Sequence, residues 1–183
     1  MTDTVTRPPA TPSEPWLRGT LTDVPAVIRA VLHALELAHE DADRWCGDMT
    51  GVEVNARPAG LPSVAFQLRH IMGSVDRLLT YAEGHELSEA QLAELAREVD
   101  GAMPHVLLRE FGKSIERACQ RIRGFIGADF EAERFVGRKR LPTTLGGLLV
   151  HIAEHTQRHA GQMVTTAKIV KASRDAAISR QPR

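Results

Sequence analysis

Three histidines stand at steps of four in the segment LGGLLVHIAEHTQRHAGQM, residues 145–163: His151, His155 and His159. On a helix, a residue four positions further along is rotated by about 40° and displaced by about 6 Å. Two imidazoles at this spacing can therefore reach one metal ion, and neutral imidazole is a common ligand of divalent metals. The spacing predicts a helix that carries a pair of metal ligands.

The apolar residues of the same segment indicate which two histidines face the interior. At about 100° per residue, Ile152 and Met163 lie near the centre of the apolar face. His159 lies about 20° and His155 about 60° from this centre, whereas His151 lies about 100° away. We therefore expect His155 and His159 to point inward, with His151 on the flank of the helix.

Four apolar runs, each marked by a proline, predict the helices that must hold this pair. Proline is accepted in the first turn of a helix and excluded from its interior, and Pro25, Pro62, Pro104 and Pro142 each precede apolar residues at helical spacing. The predicted helices span residues 24–46, 63–83, 104–126 and 143–170. No segment shows the alternating pattern of a strand, so we expect an all-α fold, a four-helix bundle.

A shorter helix and two terminal segments complete the predicted architecture. In LSEAQLAELAREV, residues 87–99, Ser88 and Gln91 have the spacing of a helix N-cap, which predicts a short extra helix in the crossover between helices two and three. The bundle domain is expected to span residues 21–171. We expect residues 1–20 and residues 172–183 to be flexible, because both segments are polar and lack an apolar pattern.

The composition excludes several classes of partner. The 183 residues include 23 basic and 23 acidic side chains, and a chain without net charge lacks the basic surface of a nucleic-acid or membrane-surface binder. The two cysteines, Cys46 and Cys119, are too few for a disulfide scaffold or a cysteine-rich zinc site. No segment has the apolar length that spans a bilayer. We therefore expect a cytoplasmic protein with no nucleic-acid or membrane partner.

Two histidines do not complete a metal site, so another helix must contribute a ligand. The candidates in the other predicted helices are His33, His39, His70 and His105. His39 ends the tetrapeptide ELAH, which has the Glu-x-x-His pattern of di-iron bundles, but those proteins use the motif twice. His70 lies on the flank of its helix. Periodicity alone therefore does not select His70.

Two histidine-bearing segments resemble those of a known family. LRHIMGSVDRLLTYAEG, residues 68–84, and HIAEHTQRHAGQM, residues 151–163, are similar to the second and fourth helices of the DinB-like superfamily, a set of bacterial four-helix bundles. The second segment, which ends in His-x-Gly-Gln, is the more specific of the two. The resemblance covers nearly the whole chain in helix order.

The resemblance implies a metal site and a type of chemistry. In that family, one histidine of helix two and an i, i+4 pair of helix four bind a divalent ion, zinc, nickel or iron. These ligands correspond to His70, His155 and His159. Relatives include thiol-dependent S-transferases and a thiol-dependent isomerase. The resemblance thus implies a metal-dependent transferase or hydrolase in which the ion activates a water or a thiol, with a small-molecule substrate such as a low-molecular-weight thiol. It also implies a homodimer.

Polar side chains near the three implied ligands are candidates to orient them. A ligating imidazole usually donates its second ring nitrogen to an oxygen or another acceptor. The candidates for this outer role are Gln67, Ser74, His151, Thr156 and Gln162.

Two other functions fit the same residues. HIAEH, residues 151–155, matches the His-x-x-Glu-His pattern of inverted zincins, in which Glu154 would be the general base. Such a peptidase needs a later acidic ligand, and Asp175 is the only acidic residue after Glu154. The second alternative is a non-catalytic bundle, stress-related or protein-binding, that a metal ion stabilises.

Overall fold

The computed structural model describes residues 13–99 and 101–179. Residues 1–12 and 180–183, which belong to the two terminal segments expected to be flexible, lie outside the described residues. Among the described helices, none combines the length and the hydropathy that crossing a membrane requires. The elements are α1 Ala26–Cys46, α2 Gly51–Asn55, α3 Val64–Ala82, α4 Glu89–Arg97, α5 Pro104–Arg123, β1 Glu133–Val136, β2 Leu141–Thr144 and α6 Leu145–Ser179.

The four long helices form one bundle, which confirms the predicted fold class. α5 and α6 each pack against both α1 and α3. The largest side chains that are less than 2 % exposed come from all four helices. They are Ile28, Leu35, Leu68, Ile71, Leu79, Leu107, Phe111, Ile122, Leu145, Leu149, Ile152 and Met163. Burial of each such side chain contributes about 1.5–3 kcal/mol, so this core fixes the position of α3 relative to α6.

Hydroxyl groups cap the starts of four helices, including α2, where Thr50 and Glu53 form a capping box. At α3, Ser63 Oγ accepts a hydrogen bond of 3.1 Å from the backbone N–H three residues later, and Thr144 Oγ1 does the same at α6, also at 3.1 Å. At α4, Ser88 and Gln91 form the reciprocal bonds of a capping box, as their spacing predicted. The short crossover helix is therefore confirmed.

The hairpin before α6 was not predicted. β1 and β2 pair in antiparallel register, with Phe135 opposite Pro142. Pro142 thus lies in a strand, and the prediction that it marks the first turn of the fourth long helix was wrong, because α6 begins at Leu145. Strands of four residues are too short to show an alternating pattern. A two-stranded sheet has only edge strands, and these accept proline.

α6 continues beyond residue 170, where the apolar pattern ends. Arg174 Nη2 lies 3.3 Å from Asp48 Oδ2, and Arg174 Nη1 lies 3.5 Å from Glu53 Oε1. Lys171 also pairs with Asp48. Residues 172–179, part of the segment expected to be flexible, are helical. These ion pairs connect this end of α6 to Asp48, before α2, and to Glu53 within α2.

Candidate metal centre

α3 and α6 pack side by side and bring three histidines together. His70 comes from α3, and His155 and His159 come from successive turns of α6. One ligand nitrogen of each ring lies within 4.8 Å of the other two. The ring centroids are 5.1 Å apart for His70 and His155, 4.3 Å for His70 and His159, and 4.4 Å for His155 and His159. The three rings are half-buried, and one ion can reach all of them.

His151 lies outside this cluster. Among the described residues, the ligand atoms that converge within 4.8 Å of one another belong to His70, His155 and His159. The His151 side chain is 45 % exposed, and its Nδ1 lies 3.6 Å from Glu154 Oε2. Glu154 in turn pairs with Arg158 on the surface. The pair of ligands that an inverted zincin requires, His151 with His155, is therefore not the pair that the fold gathers.

In two of the histidines, a hydrogen bond to an oxygen determines which ring nitrogen keeps a lone pair for an ion. His70 Nδ1 lies 2.8 Å from Glu98 Oε2, and His159 Nδ1 lies 2.8 Å from Gln67 Oε1. The Gln67 amide is itself oriented, because its nitrogen donates to Gln162 Oε1 at 2.9 Å. A carboxylate or carbonyl oxygen only accepts, so each Nδ1 carries the proton. The lone pair of each Nε2 is then available to an ion.

The five side chains predicted to orient the ligands lie in different surroundings. Gln67 and Gln162 form the hydrogen-bonded pair just described. Ser74 Oγ lies 3.4 Å from His70 Nε2, a long contact. Thr156 is fully buried, and its hydroxyl has no hydrogen-bond partner among the described residues. His151 is adjacent to His155, with ring centroids 5.6 Å apart. Any role of these five side chains in metal binding stays a prediction.

Glu98 is the residue near the cluster that sequence reasoning missed. It directly follows α4, is 6 % exposed and accepts from His70 on one oxygen. Arg77 Nη2 donates to its other oxygen at 2.9 Å. Gly73 leaves room for this pair, because a Cβ there would lie 2.7 Å from Arg77 Nη1 and 2.8 Å from Glu98 Oε1. A glycine three residues after a candidate ligand was the one available signal.

Comparison with known proteins identifies the family. The model of the DinB superfamily matches residues 34–163. The chain belongs to the DinB superfamily. A solved structure described as a conserved protein from Enterococcus faecalis aligns with a TM-score of 0.57 and 19 % identity, covering 80 % of this chain and 98 % of that chain. At this identity the likeness shows the fold alone. No match was found among curated proteins.

The charge state of the cluster in this DinB-superfamily protein suits a divalent ion. Burial, followed by the charges that His159 and His70 carry when protonated, lowers the pKa of His155 to about 4. Burial, followed by the charge of His70, also lowers the pKa of His159. Both rings are therefore neutral at pH 7, the form that binds metals. His155 Nδ1 is buried with no hydrogen-bond partner among the described residues, and a bound ion or water normally satisfies such an atom.

A cleft of about 820 Å³ lies between α3, α4 and α5, beside the cluster. Its lining includes Arg77 and Glu98, but none of the three clustered histidines. Most of its other polar lining residues carry charges of both signs: Arg69, Asp76, Glu94, Arg97, Glu110, Lys113, Arg117 and Arg121. A polar molecule in this cleft would lie next to the hydrogen bond between Glu98 and His70, not directly above all three rings.

The metal-free protein is expected to lose stability as the pH falls below 6.5. Because the folded pKa of His155 is lowered to about 4 from 6.5, the unfolded chain binds the proton first as the pH falls. The contribution of this group is fully present above pH 6.5 and is lost as the pH falls towards 4. Urea unfolding between pH 5 and 7 should show this slope, and His155→Gln should reduce it. An identical slope in both proteins would contradict the expected pKa.

Replacing Gly73 should disturb the contacts of Glu98 and Arg77. Gly161 on α6 serves as the control, because a Cβ at this position would have no neighbouring atom within 4 Å. We therefore expect Gly161→Ala to raise the free energy of unfolding by about 0.5–1 kcal/mol. Gly73→Ala should be less stable than Gly161→Ala by about 1–3 kcal/mol, because both neighbouring side chains must move. Urea unfolding of the two variants measures the difference. Equal stabilities would show that the space at Gly73 is unimportant.

Proposed function

We propose that this protein is a metal-dependent enzyme of the transferase or hydrolase type, whose divalent ion is held by His70, His155 and His159. The observation that carries the proposal is the convergence of three imidazole nitrogens within 4.8 Å from two helices. Membership of the DinB superfamily supports it independently, because the family resemblance indicated the same three residues.

The ligand set defines the chemistry that the site can support. Three neutral imidazoles leave the full charge of the ion and at least one coordination position, so the ion can act as a Lewis acid that lowers the pKa of a water or thiol. Glu98 and Gln67 hold the Nδ1 protons of His70 and His159, which keeps their Nε2 lone pairs directed away from these acceptors. Imidazole ligands suit zinc, nickel and iron, and we propose one of these three.

A thiol, if it reacts here, must come from a small molecule and not from the protein. Burial raises the pKa of Cys46 to about 12 and also raises that of Cys119. Neither side chain therefore supplies a thiolate near neutral pH. A low-molecular-weight thiol is therefore the proposed source of a thiolate, as the resemblance to thiol-dependent members of the family implies. The homodimer and the cytoplasmic location stay predictions.

A non-catalytic role for the same ion is the second candidate. The three proposed ligands come from α3 and α6, so a bound ion would tie these two helices together and add its binding free energy to folding. The large charged cleft includes none of the three imidazoles in its lining, which favours this alternative. The two functions share the metal site and differ in whether a substrate reaches it.

Metal content should depend on His70, His155 and His159 and not on His151. His70→Ala, His155→Ala and His159→Ala should each abolish stoichiometric metal, because two imidazoles hold an ion much more weakly than three. His151→Ala is the matched control on the same helix and should retain most of the metal. Elemental analysis after exhaustive dialysis against metal-free buffer gives the result. Equal metal in all four variants would show that the histidine cluster is structural.

Catalysis is tested by a thiol-transfer screen. The zinc-loaded and nickel-loaded proteins should accelerate consumption of a low-molecular-weight thiol by an electrophile, and His155→Ala should remove the acceleration while His151→Ala retains it. Loss of thiol, followed with a chromogenic thiol reagent, is the measurement. If zinc or nickel raises the melting temperature but the thiol is consumed no faster than without protein, the transferase proposal fails and the non-catalytic bundle is favoured.

A further inference from the structure

We infer that Glu98 is a positioning residue of the metal centre, which fixes the proton on His70 Nδ1 and couples metal binding to the docking of α4. The inference rests on the proposed function, because it assigns an outer partner to one of the three proposed ligands. It adds a fourth residue, from a segment outside the two helices that carry the histidines.

Both carboxylate oxygens of Glu98 are engaged. Oε2 lies 2.8 Å from His70 Nδ1, and Oε1 accepts from Arg77 Nη2 at 2.9 Å. The side chains of Glu98 and Arg77 are only 7 % and 12 % exposed. A buried carboxylate without partners is costly, so the two contacts are what allow it to lie here. Glu98 is thus in position to hold His70 rather than to bind the ion itself.

The arginine extends the contact to the other side of the same imidazole. Arg77 Nη2 also lies 3.3 Å from Ser74 Oγ, and Ser74 Oγ lies 3.4 Å from His70 Nε2. Glu98 and Arg77 can approach α3 this closely because Gly73 has no Cβ to obstruct them. The bonds of Glu98 to His70 Nδ1 and to Arg77 therefore fix the ring. Ligating histidines are typically oriented through their second nitrogen in this way. The longer Ser74 contact lies at Nε2, the nitrogen proposed to bind the ion.

α4 turns its polar side towards α3. No residue of Glu89–Arg97 is buried, and Leu92 and Leu95 are 42 % and 47 % exposed. On the opposite side, Gln91 donates to Asp76 Oδ2 at 2.6 Å, and Glu98 follows two turns later. The docking of this helix therefore depends on polar contacts, not on a share of the apolar core.

Arginine on α3 reinforces the same junction. Arg69 donates to the backbone oxygen of Arg97 at 3.0 Å and to that of Gly101 at 3.1 Å. These two acceptors lie before and after Glu98 along the chain. Three residues of α3, Arg69, His70 and Arg77, thus hold the end of α4. The bond from His70 is the one that also belongs to the metal centre.

Metal binding and docking of α4 must then influence each other. An ion on His70 Nε2 withdraws electron density from the ring and makes Nδ1–H a stronger donor to Glu98. Conversely, a docked Glu98 keeps the proton on Nδ1 and leaves Nε2 free for the ion. Linkage requires the two effects on the binding free energies to be equal. Zinc should therefore reduce the opening of α4, and removal of Glu98 should weaken zinc.

The test compares two substitutions at Glu98 with a matched control in the last turn of α4. Glu98→Ala removes both acceptors and should weaken zinc binding about 10- to 100-fold, measured by competition with a chromogenic chelator. Glu98→Gln keeps the volume but cannot accept from both His70 and Arg77, and we expect about a tenfold loss. Glu94→Gln is the control, because Glu94 pairs with Arg97 on the surface and should leave the affinity within about twofold.

Two further measurements distinguish positioning from a general structural effect. In the metal-free wild-type protein, long-range ¹H–¹⁵N correlation should place the His70 proton on Nδ1, and Glu98→Ala should move it towards Nε2. Hydrogen exchange of α4 should slow on addition of zinc in the wild type and in Glu94→Gln, but not in Glu98→Ala.

Failure of the inference can be told apart from failure of the proposed function. Wild-type protein that binds neither zinc nor nickel nor iron would overturn the proposed function and the metal coupling together. Wild-type protein that binds zinc, with Glu98→Ala binding it within about twofold, would overturn the inference alone. An unchanged His70 tautomer in Glu98→Ala would likewise overturn the positioning role, whether or not zinc binds.

Discussion

Three imidazole rings occupy one half-buried space between α3 and α6, and burial there lowers the pKa of His155 and of His159. Ring centroids 4.3–5.1 Å apart would place positive charges side by side in a poorly solvated site. The same burial that lowers the pKa of His155 to about 4 keeps its lone pair available at neutral pH. Burial of His155 therefore accounts both for its close packing against the other rings and for its ability to bind a metal at neutral pH.

The core of the bundle supports this arrangement. Ile152 and Met163 are fully buried on α6 and fix its rotation, while Ile71, the neighbour of His70, is fully buried on α3. Rotation of either helix would expose these buried side chains to water, so the stability of the core also holds the site together. Polar contacts then select the ring nitrogens: the acceptors for His159 and His70 come from α3 and from the crossover segment after α4.

The parts of this structure that follow a single helical period could be predicted. The positions of His155 and His159 came from the apolar pattern of their own helix, and the resemblance to the family supplied His70, which periodicity did not select. Glu98 could not be found in this way, because α4 presents its polar side to the bundle and leaves Leu92 and Leu95 largely exposed. An amphipathic pattern predicts the opposite orientation. The hairpin was missed because strands of four residues carry too little pattern.

X-ray absorption at the zinc edge of the zinc-loaded protein tests the three-histidine centre most directly. We expect nitrogen neighbours at about 2.0–2.1 Å, with the outer scattering of three imidazole rings and one further light atom. His151→Ala should give the same spectrum. A sulfur neighbour at about 2.3 Å, or scattering from fewer than three imidazoles, would contradict it.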